Sequence, residues 1–555
     1  MTTTQAAPTA EEGIKSSSDF LRGELATELA SAEPKVSGGS EHLLKFHGIY
    51  AQDNRDVRRE RSLAGETLEY IFMIRVAIPG GQLTSEQWLA LDQVADDIAD
   101  GTIRLTTRQA VQFHGVMKQG LRPLAHTLDE YLMTSFGACG DVVRNTVICP
   151  DLTMNAGDHQ LRELASRIAR AFKPKTLAHW EIFVNGDLAA AREESPEHSF
   201  YGTTYLPRKF KIAIAHPGEN CVDVFSQDLG LIPATHPELG DGFTVVVGGG
   251  LGRSYADADT FARLADPLTF VTHDEIEDLI AAVLRTYHEL GDRTNRKRAR
   301  MKYLVADAGF ESFRGEVEQR YAGELRAPVE VELAEADDHL GWRQLHDGTH
   351  QVGVRVGAGR VRDVADGQRL RSALRVIAQR FAVTFLITAQ QDILISAIAP
   401  QDREAVEQVL ATHHVRSVEE LGHVERSALA CPALPTCGQA LTEAERRLPS
   451  IVEQVQDELN SAGLGKRRLQ LRMTGCPNGC ARPAVSEVGI VGRTKNTYDL
   501  YLGGGLRGDR LAALYQEKLK LEEIPEVLRP LLERWKAEGV DDESFGDFFD
   551  RVNTP

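Results

Sequence analysis

The stretch Thr474-Gly-Cys476-Pro-Asn-Gly-Cys480-Ala-Arg482 contains two cysteines, and an upstream stretch, Cys431-Pro-Ala-Leu-Pro-Thr-Cys437, contains two more of the seven in the chain. Gly, Pro and Asn surround both pairs, which predicts turns rather than the interior of long helices. Turns allow several thiolates to converge on one centre. The two stretches therefore predict a four-cysteine metal site near the C-terminal end of a large protein.

The spacing of these cysteines bears on the kind of metal. Five residues separate the members of one pair and three separate those of the other, whereas zinc ribbons usually have two. Iron–sulfur clusters accept more varied spacing, because their thiolate-binding corners lie further apart. The spacing favours a cluster and leaves a structural zinc ion open. The remaining cysteines, Cys139, Cys149 and Cys221, are predicted to be mostly core residues.

Length and charge limit the class of protein. A chain of 555 residues predicts about three domains. Its N-terminus has no signal-peptide pattern and no apolar run reaches membrane-spanning length, so we expect a cytoplasmic, reducing location without a membrane. A disulfide is then disfavoured. The net charge of -18 disfavours nucleic acid as a partner, so any cluster of cations needs a local reason.

A strand–helix–strand unit is predicted twice. The first copy comprises Tyr70–Gly81, Thr84–Asp100 and Ile103–Val116, and the second comprises Val352–Gly359, Gly367–Arg380 and Phe385–Ile398. In this register Arg75 corresponds to Gly353 and Gln112 to Leu394. The glycine segments Val245–Leu251 and Leu500–Leu506 also resemble each other. The chain is therefore predicted to consist of two related halves.

Cations concentrate in the first half. If Ile103–Val116 is one strand, alternation puts Arg104, Arg108, Gln112 and His114 on one face. Lys209 and Lys211 share a face of another predicted strand, although an edge strand protected by lysines is the simpler interpretation. A basic run before Tyr303 is by itself typical of a solvated helix face. Taken together, these groups predict a binding site for an anionic ligand.

Several motifs resemble one family. The cysteine pattern is similar to the signature of sirohaem-containing sulfite and nitrite reductases, and further similarities extend over all but the first 40 residues. The Phe46-His-Gly and Gln52-Asp-Asn-Arg-Asp56 segments resemble the bacterial sulfite reductase haemoprotein more than nitrite reductases. The other matching segments are Arg104-Leu-Thr-Thr-Arg-Gln109, Gln112-Phe-His-Gly115, Tyr205-Leu-Pro-Arg-Lys-Phe-Lys211, Val247-Gly-Gly-Gly-Leu251 and Phe545-Gly-Asp-Phe548.

The resemblance implies an α+β, three-domain fold with a pseudo-twofold repeat, in which two ferredoxin-like half-repeats accompany two α/β sirohaem-binding domains. The expected divisions are a mobile tail (1–40), the first half-repeat (41–145), the first sirohaem- and substrate-binding α/β domain (146–338), the second half-repeat (339–422), and the α/β domain that binds the cluster and ligates the sirohaem (423–555).

The resemblance also implies two cofactors, a 4Fe–4S cluster and sirohaem. The cluster ligands would be Cys431, Cys437, Cys476 and Cys480, and Cys480 would bridge to the sirohaem iron. The macrocycle would be held by Arg108, Gln112, His114, Arg208, Arg300 and Asn478. The substrate oxyanion would be bound and supplied with protons by Arg75, Arg144, Lys209 and Lys211.

Assimilatory reduction of sulfite to sulfide is the activity that the resemblance implies, with nitrite reduction to ammonia as the alternative and a zinc-stabilised binding protein as a distant one. The electron donor would be an NADPH-dependent flavoprotein or ferredoxin. Tyr70 and Cys139 lie five residues before Arg75 and Arg144, respectively. We therefore expect these two side chains to approach each other, which would permit a thioether between them.

Overall fold

The structure of the protein is a computed structural model, which describes residues 7–150, 158–174, 181–184, 187–191 and 201–553. The strands are, in chain order, β1 (Ile49–Asp53), β2 (Tyr70–Val76), β3 (Gln82–Thr84), β4 (Ile103–Leu105), β5 (Val111–Val116), β6 (Val147–Ile148), β7 (Glu181–Val184), β8 (Asp187–Ala191), β9 (Ile212–Ile214), β10 (Leu229–His236), β11 (Gly240–Val247), β12 (Asp266–Thr272), β13 (Gly341–Gln344), β14 (His350–Val354), β15 (Arg360–Val361), β16 (Thr384–Ile387), β17 (Ile393–Ile398), β18 (Leu429–Ala430), β19 (Leu471–Thr474), β20 (Val488–Thr494), β21 (Thr497–Leu502) and β22 (Ala513–Leu519).

The α-helices are α1 (Ala10–Ser16), α2 (Leu25–Ala30), α3 (Gly38–Leu44), α4 (Arg58–Leu63), α5 (Ser85–Asp97), α6 (Leu121–Glu130), α7 (Asp158–Ala171), α8 (Ile276–Leu290), α9 (Met301–Ala308), α10 (Phe310–Glu318), α11 (Leu370–Arg380), α12 (Arg403–Thr412), α13 (His423–Ser427), α14 (Leu448–Ser461), α15 (Ile524–Glu538) and α16 (Phe545–Asn553). Within the described ranges, no helix has both the length and the apolar character needed to cross a bilayer.

The segment Ile103–Val116, predicted as one strand, is a hairpin of β4 and β5 in which Arg104 lies opposite Gln112. The Oγ1 of Thr106 accepts hydrogen bonds from the backbone N–H groups of Arg108 and Ala110 and closes the turn. Gln109 adopts a left-handed conformation there, with φ of 51°. The prediction that Arg108 shares a strand face with Gln112 and His114 is therefore wrong, because Arg108 lies in the turn.

The second copy of the unit has the same hairpin. β16 and β17 replace the single predicted strand, and Gln391, with φ of 69°, occupies the place of Gln109. The predicted register is confirmed, since Arg75 lies opposite Gln112 and Gly353 lies opposite Leu394. The helix between the strands, α5 in the first copy, begins with a capping box at Thr84.

The two ferredoxin-like units exchange strands. The first sheet has the order β1-β2-β5-β4-β15, and the second has the order β13-β14-β17-β16-β3. Thus β15, from the second half of the chain, completes the sheet of the first half, and β3 does the reverse. Neither sheet has all its strands without the other half, so the half-repeats expected at 41–145 and 339–422 are interlocked in space.

The two α/β units have equivalent sheets. In one, β6, β9 and β10 run parallel and β11 and β12 follow antiparallel. In the other, β18, β19 and β20 run parallel and β21 and β22 follow antiparallel. This correspondence confirms the predicted repeat and pairs each loop of the first unit with a loop of the second.

The repeated glycines follow equivalent strands, β11 and β21. A Cβ added to Gly249 would lie 2.2 Å from the carbonyl oxygen of Phe225, and one added to Gly504 would lie 2.4 Å from that of Ser486. Both oxygens belong to a short segment that begins with a 3-10 helix, Val224–Ser226 or Pro483–Val485. Only glycine allows this close approach, which fixes the loops beside the cysteine-bearing segments.

The N-terminal segment differs from the expected mobile tail, because its described part packs against the body of the protein. The side chains of Lys15 and Leu21 are buried. The ammonium group of Lys15 lies 3.5 Å from the Asp141 carboxylate, and Glu12 pairs with Arg293. The segment is rich in Thr, Ala, Ser and Glu, and this composition gave no indication of the few buried contacts.

Candidate active site

The four cysteines are gathered at one end of a parallel sheet. Cys431 directly follows β18, and Cys476 follows β19 after one glycine. These strands are parallel neighbours, so their carboxyl ends lie side by side. The Gly475 N–H donates a hydrogen bond of 3.4 Å to the Cys431 sulfur. Topology therefore brings together the two loops that spacing alone singled out.

The thiols of this group influence one another's ionisation. Burial, together with the neighbouring Cys480, raises the pKa of Cys431 well above its usual value and that of Cys476 to about 12. The same two causes raise the pKa of Cys437. Without a cation these sulfurs would retain their protons, whereas a metal centre would replace those protons and hold thiolates. The donor set fits an iron–sulfur cluster.

Cys480 differs from its neighbours because it is exposed, whereas Cys431 and Cys476 are buried. It lines a pocket together with Asn478 and five basic residues, which are Arg108, Lys209, Lys211, Arg300 and Arg482. The cysteine group and the cations of the first half thus meet at Cys480. This arrangement fits an anionic cofactor that lies in the pocket and contacts the exposed sulfur.

The two lysines carry the least compensated charge of the pocket. Within the described part of the chain, neither ammonium group has a carboxylate within ion-pair distance. Burial and nearby Arg300 lower the pKa of Lys209 to about 7, and burial and Lys209 lower that of Lys211 well below its usual value. An anion bound between them would offset this mutual repulsion.

The arginines of the pocket already have partners inside the protein. Arg300 forms a bidentate pair with Asp228 at 2.8 and 2.9 Å. Arg108 donates to Gln227 at 2.8 Å and to the carbonyl of Ile212 at 3.0 Å, and burial lowers its pKa to about 9. Their positions are therefore fixed before any ligand binds.

A second polar group surrounds Arg75. Its Nη1 donates to the sulfur of Cys139 at 3.0 Å, and the side-chain oxygen of Gln112, with its amide turned toward Arg75, accepts from Nη2 at 2.6 Å. Burial and the nearby Cys139 raise the pKa of Tyr50. Arg144, held by the carbonyls of Gly140 and Ala138 at 2.9 and 3.2 Å, completes the group.

The expected approach of Tyr70 to Cys139 differs from the structure, in which Tyr50 is the tyrosine that lies close enough to Cys139 for the two groups to influence each other's ionisation. Tyr70 lies at the start of β2, and strand geometry places it roughly 16 Å along the strand from Arg75. Tyr50 belongs to β1, the antiparallel neighbour of β2, and lies opposite Met73. Spacing along the chain could not show which residue of the adjacent strand reaches the cysteine.

Two predicted cofactor ligands have other contacts. His114 lies 3.1 Å from Arg360, and burial together with this arginine lowers the pKa of the imidazole well below its usual value. Arg208 lies 3.4 Å from the Asp141 carboxylate. Neither residue lines the pocket around Cys480. Arg104, grouped with them in the sequence, pairs with Glu445 at 2.9 Å and donates to the Ala430 carbonyl.

Arg55 was given no role from the sequence, and Lys302 was predicted only as one member of the basic run before Tyr303. Arg55 donates hydrogen bonds to the carbonyls of Cys437 at 3.3 Å and Ala440 at 2.9 Å, and so holds the first cysteine loop from the opposite half of the chain. The ammonium group of Lys302 donates to the carbonyls of Gly250 and Gly252 at 3.0 and 2.7 Å. The signal for Arg55 was available, since it lies in the matched segment Gln52–Asp56.

Two domain models of nitrite and sulfite reductases match the chain. Residues 165–325 and 422–553, together more than half of the chain, match the family model for the nitrite and sulphite reductase 4Fe-4S domain. Residues 64–131 match the model for the nitrite/sulfite reductase ferredoxin-like half domain. These matches agree with the predicted fold class and with a predicted 4Fe–4S cluster.

Curated relatives match nearly the whole chain. The sulfite reductase (NADPH) hemoprotein beta-component of Myxococcus xanthus is 42% identical over 98% of this chain and 96% of its own length. The sulfite reductase (ferredoxin) of Synechococcus elongatus is 40% identical over 98% of this chain and 89% of its own.

A solved structure shares the fold. The NirA protein of Mycobacterium tuberculosis is 23% identical and superposes with a TM-score of 0.78, covering 98% of this chain and 97% of that one. The interlocked halves, the four-cysteine group and the full-length similarity lead to one conclusion: the chain belongs to the nitrite and sulfite reductase family.

Proposed function

We propose that the protein is the haemoprotein of an assimilatory sulfite reductase, which reduces sulfite to sulfide by six electrons. The observation that carries this proposal is the exposed Cys480, which belongs to the four-thiol group and also lines a pocket with Lys209 and Lys211. A metal-binding sulfur is thereby joined to a site for a small oxyanion. The names of both curated relatives favour sulfite over nitrite.

The cofactors are a 4Fe–4S cluster, bound by Cys431, Cys437, Cys476 and Cys480, and sirohaem. When bound, they store the electrons and supply the redox chemistry. Arg108, Arg300 and Asn478 line the pocket and would hold the macrocycle. Gln112 would act beside Arg75, and His114 and Arg208 stay predictions for macrocycle binding.

The substrate-binding groups are Arg75, Arg144, Lys209 and Lys211. The guanidinium groups would orient the oxyanion by charge-assisted hydrogen bonds, each contributing on the order of 1.5–3 kcal/mol. Lys209, with a pKa of about 7 set by burial and Arg300, is able both to carry a charge and to release a proton near neutral pH. Protons for the departing oxygen atoms would come from these lysines.

The electron donor is proposed to be a separate protein in the cytoplasm. The names of the two relatives include NADPH in one case and ferredoxin in the other. Similarity to the haemoprotein component favours an NADPH-dependent flavoprotein. Addition of either donor to the purified protein, with sulfide release measured, would distinguish them.

The activity is tested on purified protein with reduced methyl viologen as an artificial donor. We expect a visible spectrum with Soret and longer-wavelength haem bands, stoichiometric iron, and a higher kcat/KM for sulfite than for nitrite. A large preference for nitrite would identify nitrite, rather than sulfite, as the substrate. A colourless protein with zinc at the four cysteines would reject the redox function altogether.

A further inference from the structure

A second cluster of metal-binding side chains lies apart from the pocket. It consists of Cys149, Glu219, Cys221 and His339, all buried, and one potential ligand atom from each lies within 4.8 Å of those from the others. Cys149 directly follows β6, Glu219 and Cys221 belong to the loop after β9, and His339 precedes β13. Three separate segments of the chain therefore converge on one buried point.

The distances within the cluster suit a single ion. The Nε2 of His339 lies 3.2 Å from the Glu219 Oε1 and 3.8 Å from the Cys149 sulfur. In a tetrahedral zinc site with bonds of about 2.0–2.3 Å, neighbouring ligand atoms lie about 3.3–3.8 Å apart. The Cys149 thiol now donates to Glu219 at 2.5 Å, a contact that an ion between the two would widen.

The repeat relates this cluster to the four-cysteine group. Cys149 follows β6 as Cys431 follows β18, and Cys221 precedes its 3-10 helix by the same number of residues as Cys480. The position equivalent to Cys476 is Pro217, so the first half retains only part of the thiol set. Glu219 and His339 complete a four-ligand set for one metal ion in place of a cluster.

The surroundings already orient the ligands. The second oxygen of Glu219, Oε2, accepts a hydrogen bond of 2.8 Å from the backbone N–H of Asp337, and Glu219 forms a parallel bridge with Ala334. A ligand held by a second hydrogen bond is typical of metal sites. These contacts also show what the site would join, since residues 334–339 connect the first α/β unit to the second half.

We propose that Cys149, Glu219, Cys221 and His339 bind one structural Zn²⁺ ion that fastens the two halves of the chain together. Thiolate, imidazole and carboxylate ligands in a closed tetrahedral set are typical of zinc, and zinc binds such sites more tightly than Fe²⁺ does. Binding replaces the two thiol protons and any proton on the imidazole, all released to solvent, and involves no electron transfer. The site is independent of the proposed function.

The wild-type holoenzyme, purified without chelator from zinc-containing medium, gives the first test by elemental analysis. We expect about one zinc ion per chain beside the cofactor iron, and X-ray absorption at the zinc edge should show two sulfur and two nitrogen or oxygen ligands. Absence of zinc, or additional iron at this site, would overturn the proposal. So would a Cys149–Cys221 disulfide found by alkylation and peptide mapping of non-reduced protein.

Variants provide the second test. Cys149→Ser and His339→Gln should lose most of the zinc while keeping the visible spectrum of the haem and cluster, because neither residue lines the pocket around Cys480. His216→Gln is the matched control, since His216 is a buried histidine of the same loop outside the cluster. Zinc that stays bound in both ligand variants would contradict the assignment even if the wild type contains zinc.

Discussion

Cys480 and Cys221 occupy equivalent positions in the two halves, but only Cys480 is exposed in the cationic pocket. The sequence pattern identified Cys480 by its neighbours, whereas nothing in the pattern distinguished Cys221 from a core cysteine. The two sulfurs differ in the residues that each half of the fold places beside them. For Cys480 these are further thiols and cations, and for Cys221 they are Glu219 and His339.

Substitution of Cys480 by serine should abolish binding of the cluster and the haem together, because the proposed bridge belongs to both. Absorption spectra and iron analysis of the purified variant measure this loss. Cys221→Ser is the matched control and should keep both spectra. Normal haem binding in the Cys480 variant would contradict the bridge.

Substitution of Lys209 by alanine should leave the cofactor spectrum unchanged and reduce kcat/KM for sulfite by about 10²–10³-fold, as loss of one transition-state donor does. The pH profile should also change near neutrality, since burial and Arg300 set the pKa of Lys209 at about 7. The exposed Lys495→Ala variant serves as the control and should match the wild type. Unchanged turnover in the Lys209 variant would show that this lysine does not bind the substrate.

At the level of elements, the chain repeats its hairpins and its glycine loops. The turn at Thr106–Gln109 escaped prediction because polar and apolar residues alternate on both sides of it, and its four consecutive polar residues were assigned to the same strand. The positive φ of Gln109 and the hydrogen bonds to Thr106 exist only once the chain reverses. The glycine loops were identified correctly, because identical triplets in two places are visible without a structure.

Gly249→Ala should destabilise the first α/β unit by about 1–3 kcal/mol, because its Cβ would lie 2.2 Å from the Phe225 carbonyl oxygen. Thermal unfolding of the holoenzyme measures the effect. Gly315→Ala, in the open interior of α10, has no atom within 4 Å of the added Cβ and should be neutral or slightly stabilising. Equal stability of the two variants would contradict the close approach.

At the level of the whole molecule, one carboxylate joins three parts of the chain. Glu445, from the cluster-binding unit, accepts hydrogen bonds from Arg104 at 2.9 Å and from Arg360 of β15 at 2.7 Å. Burial alone would raise the pKa of Glu445, but the two arginines outweigh it and hold the pKa at about 2. The carboxylate therefore stabilises the interlocked halves in its ionised form.

Glu445→Gln should lower the free energy of unfolding by on the order of 3 kcal/mol at pH 7. Because the folded pKa of about 2 is below the ordinary value of 4.5, this stabilisation is complete above about pH 4.5 and disappears as the pH falls toward 2. Urea unfolding between pH 7 and pH 3 measures the difference from wild type. The exposed Glu453→Gln variant should show no such dependence; a pH-independent loss at Glu445 would refute the ionic explanation.

The sequence by itself determined the family, the repeat, the four-cysteine group and the basic residues around it, because these depend on short motifs that can be recognised in the linear sequence. Only the tertiary structure decided that β3 and β15 each join the sheet of the other half, that the segment from Thr9 packs against the body, and that Tyr50 is the tyrosine beside Cys139. It also brought His339 to Cys149 and Cys221. Such contacts join residues far apart in the chain, and their partners are chosen by packing and strand pairing rather than by local pattern.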